Sequence, residues 1–194
     1  TPHEAIWSQP YELTILHTND LHGQVLPRQG TGGLLELGRR IRLEREAALR
    51  AGRGVLLLDA GDIFKGTLEG DLTNGAVVVD WMNRLGYDAL TIGNHEFDHG
   101  LEVARGLAEA AEFPFLGANI RANLDRRVPL WLGKGSRGEL AGKALIREVG
   151  PLRVAIVGLT SERVPELTVE GCTEGLAFLD EAEEGLLVEG GAGL

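Results

Sequence analysis

Val55-Leu56-Leu57-Leu58-Asp59-Ala60-Gly61-Asp62 decides the fold. Four aliphatic residues bounded by Gly54 and Asp59 make a run short enough for a strand and apolar enough to be buried on both faces. Gly61 permits a tight turn, and Asp62 then emerges at the carboxyl edge of that strand. Working outward, Leu34–Arg50 carries Leu34, Leu37, Ile41 and Ala48 at helical spacing, with Arg and Glu opposite, and Ala51-Gly52-Arg53-Gly54 ends it. Before it, Glu12–Leu16 reads as a strand and His17–Gly33 as a loop. After it, the pattern repeats: a helix over Ala76–Leu85 stopped by Gly86, a strand over Ala89–Ile92, a helix over Leu101–Ala111, and a strand over Phe115–Gly117. Val154–Val157, after the Gly150-Pro151 turn, reads as another buried strand. This alternation predicts an α/β fold: a βαβ-built, mostly parallel sheet with helices on its faces. Ligands of such sheets bind where loops leave the carboxyl ends of the strands. The acidic stretch Asp180–Glu184 is expected to open a helix.

The chain has 194 residues, the size of one ordinary domain, with 43% hydrophobic and 25% charged residues. Its 28 glycines show no period, which excludes collagen-like and solenoid architectures. With 19 Lys and Arg against 29 Asp and Glu, the formal net charge of -10 argues against nucleic acid as partner. It leaves small phosphate substrates open, because bound divalent cations reverse the local field. The single cysteine, Cys172, excludes an internal disulfide and a thiolate metal cluster, and is expected in or near the core. No apolar run reaches the length of a membrane span. No signal peptide is visible; the chain opens on Thr1, compatible with a leader already removed.

Three polar clusters follow three of the predicted strands. In Asp20-Leu21-His22-Gly23, a carboxylate and an imidazole two residues apart can turn toward one cation, although the same spacing also fits a turn-capping Asp beside a surface His. In Asp59-Ala60-Gly61-Asp62, a carboxylate can bridge two metals about 4 Å apart, or simply satisfy backbone groups of the turn. In Gly93-Asn94-His95-Glu96-Phe97-Asp98, Asn94 offers a neutral amide oxygen. His95 can stabilise phosphoryl charge or protonate a leaving alkoxide, and Asp98 is spaced to fix its tautomer. Three such clusters on one sheet edge are hard to assign to chance.

The runs 16–23, 58–62 with Gly66-Thr67, 82–88 leading into 93–98, then 115–120 and 157–160, closely resemble the 5'-nucleotidase branch of the calcineurin-like metallophosphoesterases. The resemblance is collinear over most of the chain. It implies the N-terminal portion of a four-layer α/β/β/α metallophosphoesterase domain. It also implies metal-dependent phosphomonoester hydrolysis of nucleotides, with metal-bound water attacking phosphorus and no phosphoenzyme. By resemblance Asp20 and His22 hold the first of two divalent ions, Asp62 bridges both, Asn94 holds the second, and His95 with Asp98 forms the catalytic pair. Asp98 matches nucleotidases and nucleotide-sugar hydrolases, whereas cyclic-phosphodiesterase relatives often carry Asn there. The ions (Mn, Zn, Mg, Co or Ca) are not distinguished by a mixed O and N donor set. The resemblance further implies a periplasmic or extracellular site of action.

The family pattern also requires later histidines, in Gly-His and Gly-His-x-His settings, and a C-terminal nucleotide-binding domain. No histidine follows His99, and 189–194 is Gly-rich. The chain is therefore expected to be incomplete, to hold fewer metals, and to expose a sheet edge suited to self-association. Rival readings are a folded non-enzymatic remnant binding at most one divalent ion, a nucleotide-sugar hydrolase and a cyclic phosphodiesterase. His17 is expected to be a structural, hydrogen-bonded histidine. His3 and His99 are expected at the surface, and Lys65 and Arg28 within approach of phosphate.

Overall fold

A computed structural model describes residues 10–30, 32–122, 125–129, 144–183 and 185. The expectations for His3 and for the Gly-rich 189–194 lie outside these residues. Strands β1 (Leu13–Thr18), β2 (Gly54–Asp59), β3 (Ala89–Thr91) and β4 (Phe115–Leu116) form one parallel sheet in the order β1-β2-β3-β4. The connections are helical: α1 (Leu34–Arg50), then α2 (Leu68–Leu72) with α3 (Ala76–Leu85), then α4 (Leu101–Ala110). Parallel crossovers are right-handed, so a sheet whose strands advance steadily in one direction receives every crossover on the same side.

Residue alternation in the strands agrees. Leu57, Leu90 and Phe115 enter the main core beneath Leu34, Ile41, Val78, Val79, Met82, Leu85, Ala104 and Leu107, whereas their neighbours Leu58, Ala89 and Leu116 face the other way. The helix boundaries follow local chemistry. In α1, Gly38 is buried, and a Cβ there would stand 3.1 Å from Trp81 Nε1, so this glycine sets how closely α1 and α3 approach. α3 stops at Gly86, which takes the left-handed conformation at φ 65 that a side chain disfavours.

The second face of the sheet is covered differently from the sequence expectation. Val154–Val157 is not another strand of the parallel sheet. It contributes to β8 (Leu152–Ile156), which pairs antiparallel with β7 (Leu145–Val149) as a hairpin turning at Gly150. The run is half-buried rather than buried, and its aliphatic character does not report strand direction. Leu145 and Ile156 of this hairpin pack against Leu58, Ala89 and Leu116. Toward β1 the described residues leave the face uncovered, with Ile15 55% exposed. His17 sits on that exposed face too, so the expectation of a structural, hydrogen-bonded histidine is corrected. It follows from strand alternation: Ile15 and His17 point away from the helices while Leu16 packs against the core.

A third sheet, β5 (Ile120–Ala122) with β6 (Asp125–Pro129) and β9 (Leu176–Phe178), is antiparallel in order β6-β5-β9 and has no counterpart in the sequence reading. Between β8 and β9 lies one turn of helix, α5 (Val164–Leu167), whose Val164 reaches the main core. Asp180 accepts from Glu183 N–H at 2.8 Å and caps the helical turn at residues 181–183, as the acidic stretch implies.

Candidate metal and catalytic site

Backbone pairing continues past the ends of β1 and β2 and carries their loops outward together. Ala60 N–H donates to Thr18 O, Asp20 N–H to Gly61 O, His22 N–H to Asp62 O, and Gly23 N–H to Ile63 O, at 2.9–3.0 Å. The two loops are thus one rigid ribbon at the sheet's carboxyl edge. Its curvature places non-glycine residues in the left-handed region: Asp20 at φ 52, His22 at φ 47, Asp62 at φ 59 and Lys65 at φ 74. Such conformations cost about 1 kcal/mol or more each for ordinary side chains and gather where a site requires them. At Gly61, with φ +97, a Cβ would meet Gly93 N at 2.6 Å and Thr91 O at 2.7 Å, so only glycine lets the third loop close against the second.

The third loop, 93–98, leaves β3 through a 3-10 turn at His95–Phe97. Glu96 ties it to the second loop. Its carboxylate is 0% exposed and accepts from Asp62 N–H at 3.0 Å, Ile63 N–H at 2.9 Å and Gly93 N–H at 2.6 Å. Burial pushes the carboxyl up, to about 7, against the pull of those hydrogen bonds. Asp62 Oδ1 adds a second tie by accepting from His95 N–H at 3.0 Å, which leaves Oδ2 for the site.

These ties bring His22, Asp62 and His95 together, with ligand atoms mutually within 4.8 Å, a spacing that one cation can span. The two imidazoles meet edge to face at 5.0 Å between centroids. Both tautomers follow from the partners. His22 Nδ1 lies 3.0 Å from the Lys65 carbonyl, which can only accept, so Nδ1 carries the proton and Nε2 presents a lone pair. That Nε2 is 3.5 Å from Asp20 Oδ1, so the expected pair of ligands on the first loop share one point in space. His95 Nδ1 is 2.6 Å from Asp98 Oδ2, so Asp98 orients the ring and Nε2 faces the site. Burial raises the Asp98 carboxyl, but the hydrogen bonds from His95 and Thr168, with the charges of His95 and Lys65, outweigh it and hold the group below its ordinary value. Asn94 donates through Nδ2 to Leu167 O at 3.2 Å, which turns its Oδ1 the other way.

Asp59 plays a different part from Asp62. It is 3% exposed and accepts from Thr18 Oγ1 at 2.5 Å and Gly61 N–H at 2.8 Å, while Thr18 also meets Tyr87 Oη at 2.8 Å. It serves the turn rather than the rim. Burial raises its pKa from 3.8 to about 7, with Asp20 and Asp62 adding repulsion and the two hydrogen bonds opposing. Between those values the folded state holds more protons than the unfolded state, so the stability this group contributes is fully present below about pH 4 and is lost as pH rises toward 7. Asp59→Asn can still accept from Gly61 while donating to Thr18. It is expected to flatten that fall by up to about 4 kcal/mol, read from urea denaturation between pH 4 and 8.

His99 is exposed, as expected, and stacks on Phe64 at 5.7 Å. Cys172 is half-buried, its thiol 3.4 Å from Asp98 O. The roles of Glu96, Thr168 and the Lys65 carbonyl escape sequence reading, since each acts across 33 to 70 residues of chain.

Residues 13–141 match the family described as calcineurin-like phosphoesterase. The chain is 41% identical over 187 residues to a snake venom 5'-nucleotidase of Gloydius brevicauda, covering 90% of this chain and 29% of that protein. It is 39% identical over 186 residues to the human 5'-nucleotidase, covering 88% and 30%. The crystal structure of a 5'-nucleotidase precursor from Thermus thermophilus superposes with a TM-score of 0.70 at 34% identity, over 92% of this chain and 35% of that one. The chain thus spans about three tenths of the length of the curated relatives it matches.

Proposed function

This chain belongs to the calcineurin-like phosphoesterase family, and from that premise we propose that its three-loop site hydrolyses phosphomonoesters of nucleotides in the manner of a 5'-nucleotidase. The convergence of His22, Asp62 and His95, each with one ligating or proton-bearing atom freed by its partner, supports the reading most strongly. The family uses divalent metals, and the donor set fits them: hard carboxylate and amide oxygens with imidazole nitrogen suit Mn, Zn, Mg, Co or Ca. Asp20 and His22 would hold a first ion, Asp62 would bridge to a second, and Asn94 Oδ1 would reach that second ion. Divalent ions, when bound, neutralise phosphoryl charge and lower the pKa of water.

The protein's own residues supply the rest. His95 Nε2, with its proton set by Asp98 on the opposite nitrogen, donates a hydrogen bond to a phosphoryl oxygen or a proton to the departing 5'-oxygen. Asp98 stabilises the imidazolium that this requires. The acidic surface is overcome only within the site, which favours a compact dianion over a polyanionic nucleic acid. We take residues 1–194 as the N-terminal part of a phosphoesterase domain acting outside the cytoplasm, with β1, an edge strand of the parallel sheet, available for association. No helix among the described residues is long and apolar enough to cross a membrane.

The test is phosphate release from AMP with Mn²⁺ added, beside UDP-glucose and a cyclic nucleotide. Faster release from AMP, abolished by EDTA and restored by Mn²⁺, supports the proposal. Preference for the cyclic or sugar nucleotide would move the substrate assignment, and no release from any of them by folded protein would make the chain a metal-binding remnant.

A further inference from the structure

The end of α5 and the segment that follows it touch the third loop at three points. Asn94 Nδ2 donates to Leu167 O at 3.2 Å, Thr168 Oγ1 to Asp98 Oδ1 at 2.7 Å, and Cys172 Sγ to Asp98 O at 3.4 Å. The segment is fixed on its own side, since Val164 is 1% exposed in the main core and Thr168 N–H donates to Val164 O at 3.1 Å. Of these contacts the one at Thr168 bears on chemistry. A carboxylate accepts only, so the hydroxyl donates. It occupies the oxygen of Asp98 that His95 does not use.

We propose that Thr168 is a positioning residue for the His95–Asp98 pair, fixing the plane of the Asp98 carboxylate so that Oδ2 keeps its 2.6 Å hydrogen bond to His95 Nδ1. With one donor alone, the carboxylate turns freely about its terminal bond, and the imidazole loses both its orientation and its fixed tautomer. Two donors on opposite oxygens hold the plane from both sides. Asp98 side-chain exposure is only 4%, so water has little access to take over if the hydroxyl is removed. Meanwhile the Leu167 carbonyl beside Thr168 selects the amide orientation of Asn94, directing its oxygen away from the segment. One short segment therefore sets the geometry of two residues on the neighbouring loop, 70 and 73 positions earlier in the chain.

This inference rests on the hydrolase reading for its consequence in rate, but its geometry is testable without turnover. The experiment compares the full chain with Thr168→Val, Thr168→Ala and Thr168→Ser, each saturated with Mg²⁺. It follows the His95 Nδ1 proton by NMR of ¹⁵N-histidine-labelled protein, and phosphate release from AMP. Valine and alanine are expected to shift or broaden the His95 signal and to lower kcat about tenfold, with KM within about twofold. Serine, which keeps the donor, is expected to restore both. A signal unchanged in the valine and alanine variants, or unrestored by serine, overturns the proposal. So does unfolding of both hydroxyl-less variants, which would make Thr168 a residue of the fold. If the wild-type chain releases no phosphate with Mg²⁺ or with Mn²⁺, the hydrolase reading fails, and the His95 signal alone decides whether Thr168 positions the pair.

Discussion

Glu96→Gln is expected to lower the stability of the chain by about 3 kcal/mol at pH 8 and to weaken Mn²⁺ binding about tenfold or more. The carboxylate has no contact with water and receives three backbone N–H groups, two on Oε2 and one on Oε1. A glutamine amide has one accepting oxygen. Placing it where Oε2 stands keeps the bonds from Asp62 and Gly93 but turns an NH₂ against Ile63 N–H, leaving buried donors facing each other. The loss is larger than that of a surface contact, because no solvent replaces the missing acceptor. It reaches the metal site because the three donors belong to the two loops that carry Asp62 and Asn94. The comparison is made at pH 8, above the value of about 7 to which burial raises the Glu96 carboxyl, so that the wild type is charged. A loss below about 1 kcal/mol in urea denaturation would show that the loops are held mainly by other contacts.

His95→Ala is expected to reduce AMP hydrolysis about 10³-fold while leaving Mn²⁺ affinity within about threefold. The ring is oriented by Asp98 through Nδ1, a partnership suited to proton donation. A separate backbone tie, His95 N–H to Asp62 Oδ1, does not need the side chain and survives the substitution. The cluster nevertheless puts His95 within 4.8 Å of His22 and Asp62 ligand atoms, close enough to ligate a cation. The two roles separate cleanly in calorimetry: a tenfold or greater loss of Mn²⁺ affinity in His95→Ala would assign His95 to the metal and remove it from proton transfer.

The parts of this arrangement that were legible in the sequence are local. Leu34–Arg50 and Ala76–Leu85 are seen in the structure as read, because apolar spacing and the glycine stops act within a few residues. The strands differ by one or two residues: β2 extends to Gly54 and Asp59, since backbone pairing with β1 continues past the aliphatic run. The polar clusters at 20–22, 59–62 and 93–98 were visible because each follows a strand of one sheet. Asp59 and Asp62 could not be told apart by spacing alone. Only the turn at Gly61, with the Thr18 and Tyr87 hydroxyls, shows that Asp59 goes inward and Asp62 outward. Glu96 and Thr168 were illegible for another reason. A glutamate beside Phe97 reads as surface until three amides from two loops are seen to surround it, and a threonine among exposed residues has no signal of its own. The β7–β8 hairpin was hidden by the ambiguity of a short apolar run.

The central claim is that these loops form a divalent-metal site, and calorimetric titration of the chain with Mn²⁺ tests it most directly. The account predicts at least one ion bound by the wild type and binding weakened tenfold or more in Asp62→Asn, with the variant folded by circular dichroism. Folded wild-type protein that binds no Mn²⁺, or an Asp62→Asn variant that binds it as the wild type does, would contradict the account.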